Sequence, residues 1–263
     1  MADRALFGFH AVTVRLKTAP SSVLEVHVDA MRRDGRMRQL VERATAAGVR
    51  VVESDAARLR ALARSDAHQG VAARVAALPA RHSLDDLLDD VAAAGETPLV
   101  LALDGVTDPH NLGACLRVAD GAGVHAVVAP KDHAVGINAT VAKVASGAAE
   151  TVPYLMVTNL ARSLGELKER DIAVVGTSDA ATRSLYDLDL RGPVAFVLGA
   201  EGRGMRQLVA RTCDELVKVP MRGAVESLNV SVASGVCLYE AARQRLARAA
   251  ASPDSSNLPP EGD

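Results

Sequence analysis

The 263-residue chain contains no tryptophan and only three phenylalanines and three tyrosines, so reading of nucleic-acid bases by aromatic stacking platforms is poorly supported. Its three cysteines, Cys115, Cys213 and Cys237, stand far apart and form no C-x-x-C pair. A disulfide framework and a structural zinc site are both unsupported, and a reducing compartment fits best. No apolar stretch approaches the roughly 18 residues of a membrane span, and the opening MADRALFGFHAV has no apolar core of signal-peptide length. A cytoplasmic protein is expected, with no membrane and no metal among its partners. Lysine is also scarce: 25 of the 30 basic residues are arginine, the side chain whose planar fork suits phosphate.

Charge is unevenly placed. The net of −2 conceals 14 basic against eight acidic residues over positions 1–81, while positions 82–96 hold five acids and no Arg or Lys. Apolar runs at Val23 to Val28, Val49 to Val52 and Gly70 to Val75 alternate with helical stretches at Met31 to Ala47 and Ala56 to Arg64, which predicts a small α/β module. Pro79 to Pro98 encloses an acidic amphipathic turn or two and reads as a connector. Beyond it, apolar runs begin at Leu99, His125, Val152, Ile172, Val194 and Glu215. That spacing predicts a mostly parallel sheet covered on both faces, with ligands beyond the carboxyl ends of the strands. A last helix, from about Asn229 to Ala249, starts apolar nearly all round and should bury its first half against another helix or another subunit. A solvated tail follows it.

Three loops can carry chemistry. The first runs from Asp104 through Asn111 to Arg117; Asn111 is a plausible helix cap, and Arg117 lies about 9 Å further along the axis at 1.5 Å per residue. Arg117 could equally pair with Asp120 at i+3. The second, Gly199-Ala-Glu201-Gly-Arg-Gly204-Met, fails as a phosphate loop because Met205 and Arg206 stand where Lys and Ser or Thr are needed. Its glycines permit close backbone approach to a ligand, and Glu201 either contacts that ligand or accepts amide hydrogen bonds at the turn. The third, from Val219 to Ser231, holds Ser227 and Asn229, both good capping residues. A serine-hydrolase elbow is excluded, because Glu226-Ser227-Leu228 lacks the flanking glycines.

In this order and spacing, the three loops resemble the motifs of the SpoU/TrmH branch of the SPOUT RNA methyltransferases. Asn111 with Arg117 matches the first motif, Glu201 within Gly199-Ala-Glu-Gly the second, and Ser227-Leu-Asn229 the third. Similarity extends to Phe7-Gly-Phe-His-Ala-Val, His68-Gln-Gly-Val and Ala145-Ser-Gly-Ala-Ala-Glu, and so covers almost the whole chain. The resemblance implies an α/β fold: a trefoil-knotted methyltransferase domain with a mostly parallel sheet, preceded by a small α/β RNA-binding domain. It also implies a division into a ribosomal-protein-like RNA-binding domain at 1–80, a linker at 81–97, the methyltransferase domain at 98–249 and a tail at 250–263.

The implied reaction moves a methyl group from S-adenosylmethionine to the ribose 2′-hydroxyl of a guanosine in 23S ribosomal RNA. A transfer RNA or another ribosomal nucleotide is the alternative substrate, and a non-catalytic ribosome-assembly factor is the alternative of a different class. By the same resemblance Arg117, Asn111, Glu201, Ser227 and Asn229 are the catalytic set, while Gly199, Val219, Met221 and Leu228 hold the cofactor. The active site draws on two subunits, so a homodimer is implied. The resemblance implies Arg117 as the general base; because a guanidinium gives up its proton only at high cost, charge stabilisation on the 2′-oxygen or phosphate-assisted proton transfer is the alternative role.

Overall fold

The computed structural model describes residues 4–76, 83–200 and 202–251. The expected tail beyond residue 251 and the start of the expected linker, residues 81–82, lie outside them, as does Glu201.

The amino-terminal unit comprises β1 (Arg4–Phe7), α1 (Phe9–Thr18), β2 (Val23–Asp29), α2 (Gly35–Ala46), β3 (Arg50–Ser54), α3 (Ala56–Ala63) and β4 (Val71–Val75). Its sheet has the order β1-β4-β2-β3; β4 runs antiparallel to both neighbours, and β2 parallel to β3. The sequence reading assigns nothing before Val23. Yet Phe9, Val12 and Leu16, spaced i, i+3 and i+7, give α1 an apolar face that enters this unit's core with Val26 and Leu40. Asp34 starts α2 by accepting the backbone N–H groups of Arg36 and Met37, as an N-cap carboxylate should.

The second unit is built from α4 (Leu84–Ala93), β5 (Leu99–Asp104), α5 (Pro109–Gly121), β6 (Ala126–Pro130), α6 (Ala139–Ala145), α7 (Ala148–Thr151), β7 (Tyr154–Val157), α8 (Leu160–Glu169), β8 (Ala173–Thr177), β9 (Arg183–Ser184), β10 (Val194–Gly199), α9 (Gln207–Thr212), β11 (Glu215–Lys218) and α10 (Val230–Ala251). Seven strands pair in the order β7-β6-β5-β10-β8-β11-β9, every pair parallel. β5, beside the middle strand β10, is buried along its whole length. Its period of two sends Leu99, Leu101 and Leu103 into the core under α5 and α10, and Val100 and Ala102 into the core under α4 and α8. That is the two-faced sheet expected from near-continuous apolar runs.

The stretch expected as a linker is largely an element of this core. Ser83 caps α4 by accepting the Asp86 N–H, and Leu84, Leu87, Leu88 and Val91 pack beneath the sheet with Val100 and Ala102. The helix spacing i, i+3, i+4, i+7 outweighs the acidic composition that suggested a connector, because the acids occupy the outer face. Two of them, Asp85 and Asp89, pair with Arg170.

The two units touch along α1 and α7. There Arg15 Nη2 meets Glu150 Oε2 at 3.1 Å, with side chains 2% and 4% exposed. Arg245 of α10 donates to the carbonyls of Thr97, Pro98 and Gly192, just ahead of β5 and β10.

Candidate active site

The loops after β5, β10 and β11 all leave the carboxyl edge of the parallel sheet, where fixed strand ends can hold a ligand among them. After β10 the chain turns back on itself: Gly204 N–H donates to Ala200 O at 2.9 Å, and Ala200 and Gly204 form an antiparallel bridge. A Cβ on Gly199 would sit 2.1 Å from the Gly204 carbonyl carbon, a distance no side chain can occupy. This position admits glycine alone.

Asp104, at the end of β5 and 1% exposed, clamps that turn to the first loop. Its carboxylate accepts the Arg206 backbone N–H at 2.7 Å, Arg206 Nε at 2.7 Å and Arg206 Nη2 at 2.6 Å. Sequence reasoning passed over Asp104. An acid closing an otherwise wholly apolar strand was its signal, since a buried carboxylate must find donors.

The second and third loops line one cavity of about 540 Å³, which takes in Gly199, Val219, Met221, Ser227 and Leu228. A further stretch, Thr177 to Ala180 after β8, lines it too. It was also missed, although its place at a strand end was the available clue. Asp179, Glu226, Arg203 and Lys218 give the cavity both signs of charge, and Leu198, Val219, Leu228 and Ala233 give it apolar wall.

The first loop joins through a hydrogen bond. Asn229 Nδ2 donates to Asn111 Oδ1 at 2.9 Å, while Asn229 Oδ1 accepts the Ser231 N–H and hydroxyl at 2.9 and 2.6 Å. That engagement of Oδ1 fixes the Asn229 amide, and in turn leaves the Asn111 amide nitrogen with no acceptor among the described residues. Asn111 is not the cap of α5 that its sequence position suggests. Asp108 is, accepting the His110 N–H, with Pro109 at the first helical position where its missing N–H costs nothing. Asn111 instead stands in the first turn, which lets its side chain reach α10.

Arg117 is exposed on α5, outside the cavity lining, and makes no hydrogen bond or ion pair among the described residues. The expected pairing with Asp120 is not made; Asp120 accepts the Thr151 hydroxyl instead. On the face of α5 away from Arg117, Cys115 and Ser234 meet at 3.5 Å in the seam between α5 and α10. Burial pushes the Cys115 thiol up to about 11, which keeps it protonated and inert. Among the described residues no group of three His, Cys, Asp or Glu could hold a metal ion, and no helix is long and apolar enough to cross a membrane.

A parallel α/β sheet with a glycine-lined cavity at its carboxyl edge defines a ligand-binding α/β protein of the doubly covered class. Residues 98–239 match the SpoU rRNA Methylase family, and residues 5–80 match the family described as RNA 2′-O ribose methyltransferase substrate binding. The chain belongs to the SpoU rRNA methylase family. It is 61% identical, over 92% of its length and 96% of the relative's, to the 23S rRNA (guanosine-2′-O-)-methyltransferase RlmB of Ralstonia nicotianae. It is 50% identical to the protein of that name in Neisseria meningitidis serogroup B, over 93% of this chain and 96% of the other. Among solved structures, an RNA 2′-O ribose methyltransferase superposes with a TM-score of 0.70 at 27% identity, covering 93% of this chain and 89% of that one. The SpoU methyltransferase AviRb of Streptomyces viridochromogenes, solved with AdoMet, shares the fold with a TM-score of 0.72 at 23% identity over 93% and 91% of the two chains.

Proposed function

We propose that this protein transfers the methyl group of S-adenosylmethionine to the ribose 2′-hydroxyl of a guanosine in 23S ribosomal RNA. The observation that carries the reading is the single cavity shared by the second and third loops, to which Asn111 is tied through Asn229. Family membership and the RlmB relatives point the same way.

The cavity fits the cofactor. Its volume lies within the usual range for small-ligand sites, its mixed charges suit a molecule bearing a sulfonium, an ammonium and a carboxylate, and its glycine turn exposes backbone. Gly199, Val219, Met221 and Leu228 are assigned to the adenosyl part. S-adenosylmethionine supplies, when bound, a methyl group on sulfur that is already a good electrophile.

The residues of the chain must then align the 2′-oxygen and steady the charge that grows on it. Ser227 and the outward amide nitrogen of Asn111 orient the ribose by neutral hydrogen bonds, with Asn229 holding Asn111 in place. Arg117 neutralises the oxygen beside the target phosphate, and Glu201, outside the described residues, is assigned to the same catalytic set by its place in the second motif. Because Arg117 leaves its own cavity and points outward, we assign it to the site of a second copy in a homodimer. The exposed apolar residues Val232, Tyr239 and Leu246 of α10 support that dimer.

The trefoil knot is part of the same proposal. β11 lies between β8 and β9, so the connection 178–182 crosses the end of β11, and that crossing ahead of the third loop supports the reading. Residues 1–80 are assigned to RNA binding and 98–249 to methyl transfer, with 81–97 between them. A ribosomal RNA substrate places the protein in the cytoplasm.

The test is transfer from methyl-labelled S-adenosylmethionine to 23S ribosomal RNA, followed by mapping of ribose methylation. A single guanosine is expected. Label appearing in transfer RNA alone, or in no RNA, overturns the proposal.

A further inference from the structure

We infer that the groove between α1 and α2 is a docking track for a single-stranded segment of the substrate RNA, with Arg36 and Arg43 as its phosphate ligands. The inference rests on the proposed function and goes beyond it by naming the surface and the residues.

The groove encloses about 470 Å³. His10 and Thr13 of α1 face Arg36, Gln39 and Arg43 of α2 across it, and Glu42 is the acid on its rim. On α2 the positions 36, 39 and 43 fall at i, i+3 and i+7, so their side chains form one face. Arg36 and Arg43 are exposed and make no ion pair among the described residues. By contrast Arg32 and Arg33, on the turn before α2, are paired with Asp34 and Glu53. Two cations left without counterions about 10.5 Å apart along one helix can meet two backbone phosphates of one strand. Gln39, Thr13 and His10 supply the donors and acceptors that a 2′-hydroxyl requires. Arg36 also lies over the Phe9 ring at 5.1 Å, which holds its guanidinium at the floor of the groove.

One end of the groove reaches the catalytic unit. His10 sits so close to Gly147 that a Cβ there would come within 2.8 Å of the imidazole. Gly147 opens α7, whose last residue, Thr151, donates to Asp120 of α5; Arg117 stands one turn before Asp120 on that helix. The buried Arg15–Glu150 pair holds α1 against α7, so a strand lying in the groove keeps a fixed relation to the side of α5 that bears Arg117.

The experiment compares Arg36→Ala/Arg43→Ala with Arg38→Ala/Arg58→Ala in the full chain. The second pair removes the same charge from exposed positions outside the groove. Binding to a 23S ribosomal RNA fragment is measured across a salt series, with S-adenosylmethionine binding as the check on folding. The groove pair is expected to lose at least tenfold in affinity at low salt and about 1.4 in the slope of log K against log salt, since each single-strand phosphate contact carries about 0.7. The control pair should stay within about twofold. Equal losses in both pairs, or none in the groove pair, overturn the inference. A wild-type chain that binds RNA with the expected groove dependence but methylates none leaves the groove standing and overturns the proposed function instead.

Discussion

Arg117 stands on the outer face of α5, exposed and without a partner among the described residues, so its removal should cost the fold nothing. Surface substitutions of that kind usually stay within about 0.5 kcal/mol. Arg117→Ala is therefore expected to fold, dimerise and bind S-adenosylmethionine, and to lose at least a hundredfold in single-turnover methyl transfer, about 2.7 kcal/mol of transition-state stabilisation. Retained turnover would remove it from the chemical step. The three thiols make a different residue-scale prediction. Burial raises Cys115 and Cys213 to about 11 and Cys237 to about 12, from the ordinary 9.0. Because the folded values are the higher ones, their contribution to stability is complete below pH 9 and is lost as the pH climbs through 11 to 12. Urea unfolding at pH 8 and pH 10.5 should show a decline that a Cys115→Ala/Cys213→Ala/Cys237→Ala variant shares only in part. Equal declines in the two proteins would refute the assignment.

At the scale of elements, α4 decides whether the residues ahead of the parallel sheet are a tether or a part of its core. Leu87 is wholly buried among Leu84, Leu88, Val91 and the inner residues of β5. Leu87→Ala should lower unfolding stability by about 3 kcal/mol, the usual cost of such a truncation, whereas a leucine on a tether would cost nearly nothing. Chemical denaturation measures the difference. α5 and α10 form a comparable unit: Asn111 meets Asn229, Cys115 meets Ser234, and a Cβ on Gly235 would lie 3.6 Å from Val118. Motif residues distant in sequence are thereby held by helix packing rather than by loop conformation. Such rigidity is what a displacement reaction asks of the groups that align it.

For the whole molecule, two contacts matter. Breaking a buried ion pair by removing one partner typically costs about 3–5 kcal/mol, because the surviving charge stays desolvated. Glu150→Ala is thus expected to undock the amino-terminal unit while the parallel sheet persists, and small-angle scattering should record a larger radius of gyration. An unchanged radius would mean that other contacts suffice. The second contact is the proposed dimer seam on α10. Val232 is 51% exposed and Tyr239 54%, and a carboxylate there would be buried unpaired on association. Val232→Asp should sediment as a monomer and lose methyl transfer. Sedimentation identical to wild type would place the seam elsewhere.

The strands and helices were legible in the sequence because their signals are local. An unbroken apolar run from Leu99 to Leu103 marks a strand buried on both faces, and residues 36–43 carry a helix period whatever surrounds them. β1 and α1 escaped, since Arg4–Phe7 is too short to show alternation and the apolar positions of α1 are diluted by polar neighbours. The identities of the site residues were likewise legible, as glycine, asparagine and arginine at particular spacings. Their arrangement was not. That Asp104 clamps the turn after β10, that Thr177 to Ala180 line the cavity, that Asn111 faces Asn229 and that Arg117 points away from its own cavity all depend on contacts between residues up to 118 positions apart. Local sequence sets what each segment can become, whereas the burial of two sheet faces at once sets which segments meet, and only the folded chain satisfies that second condition.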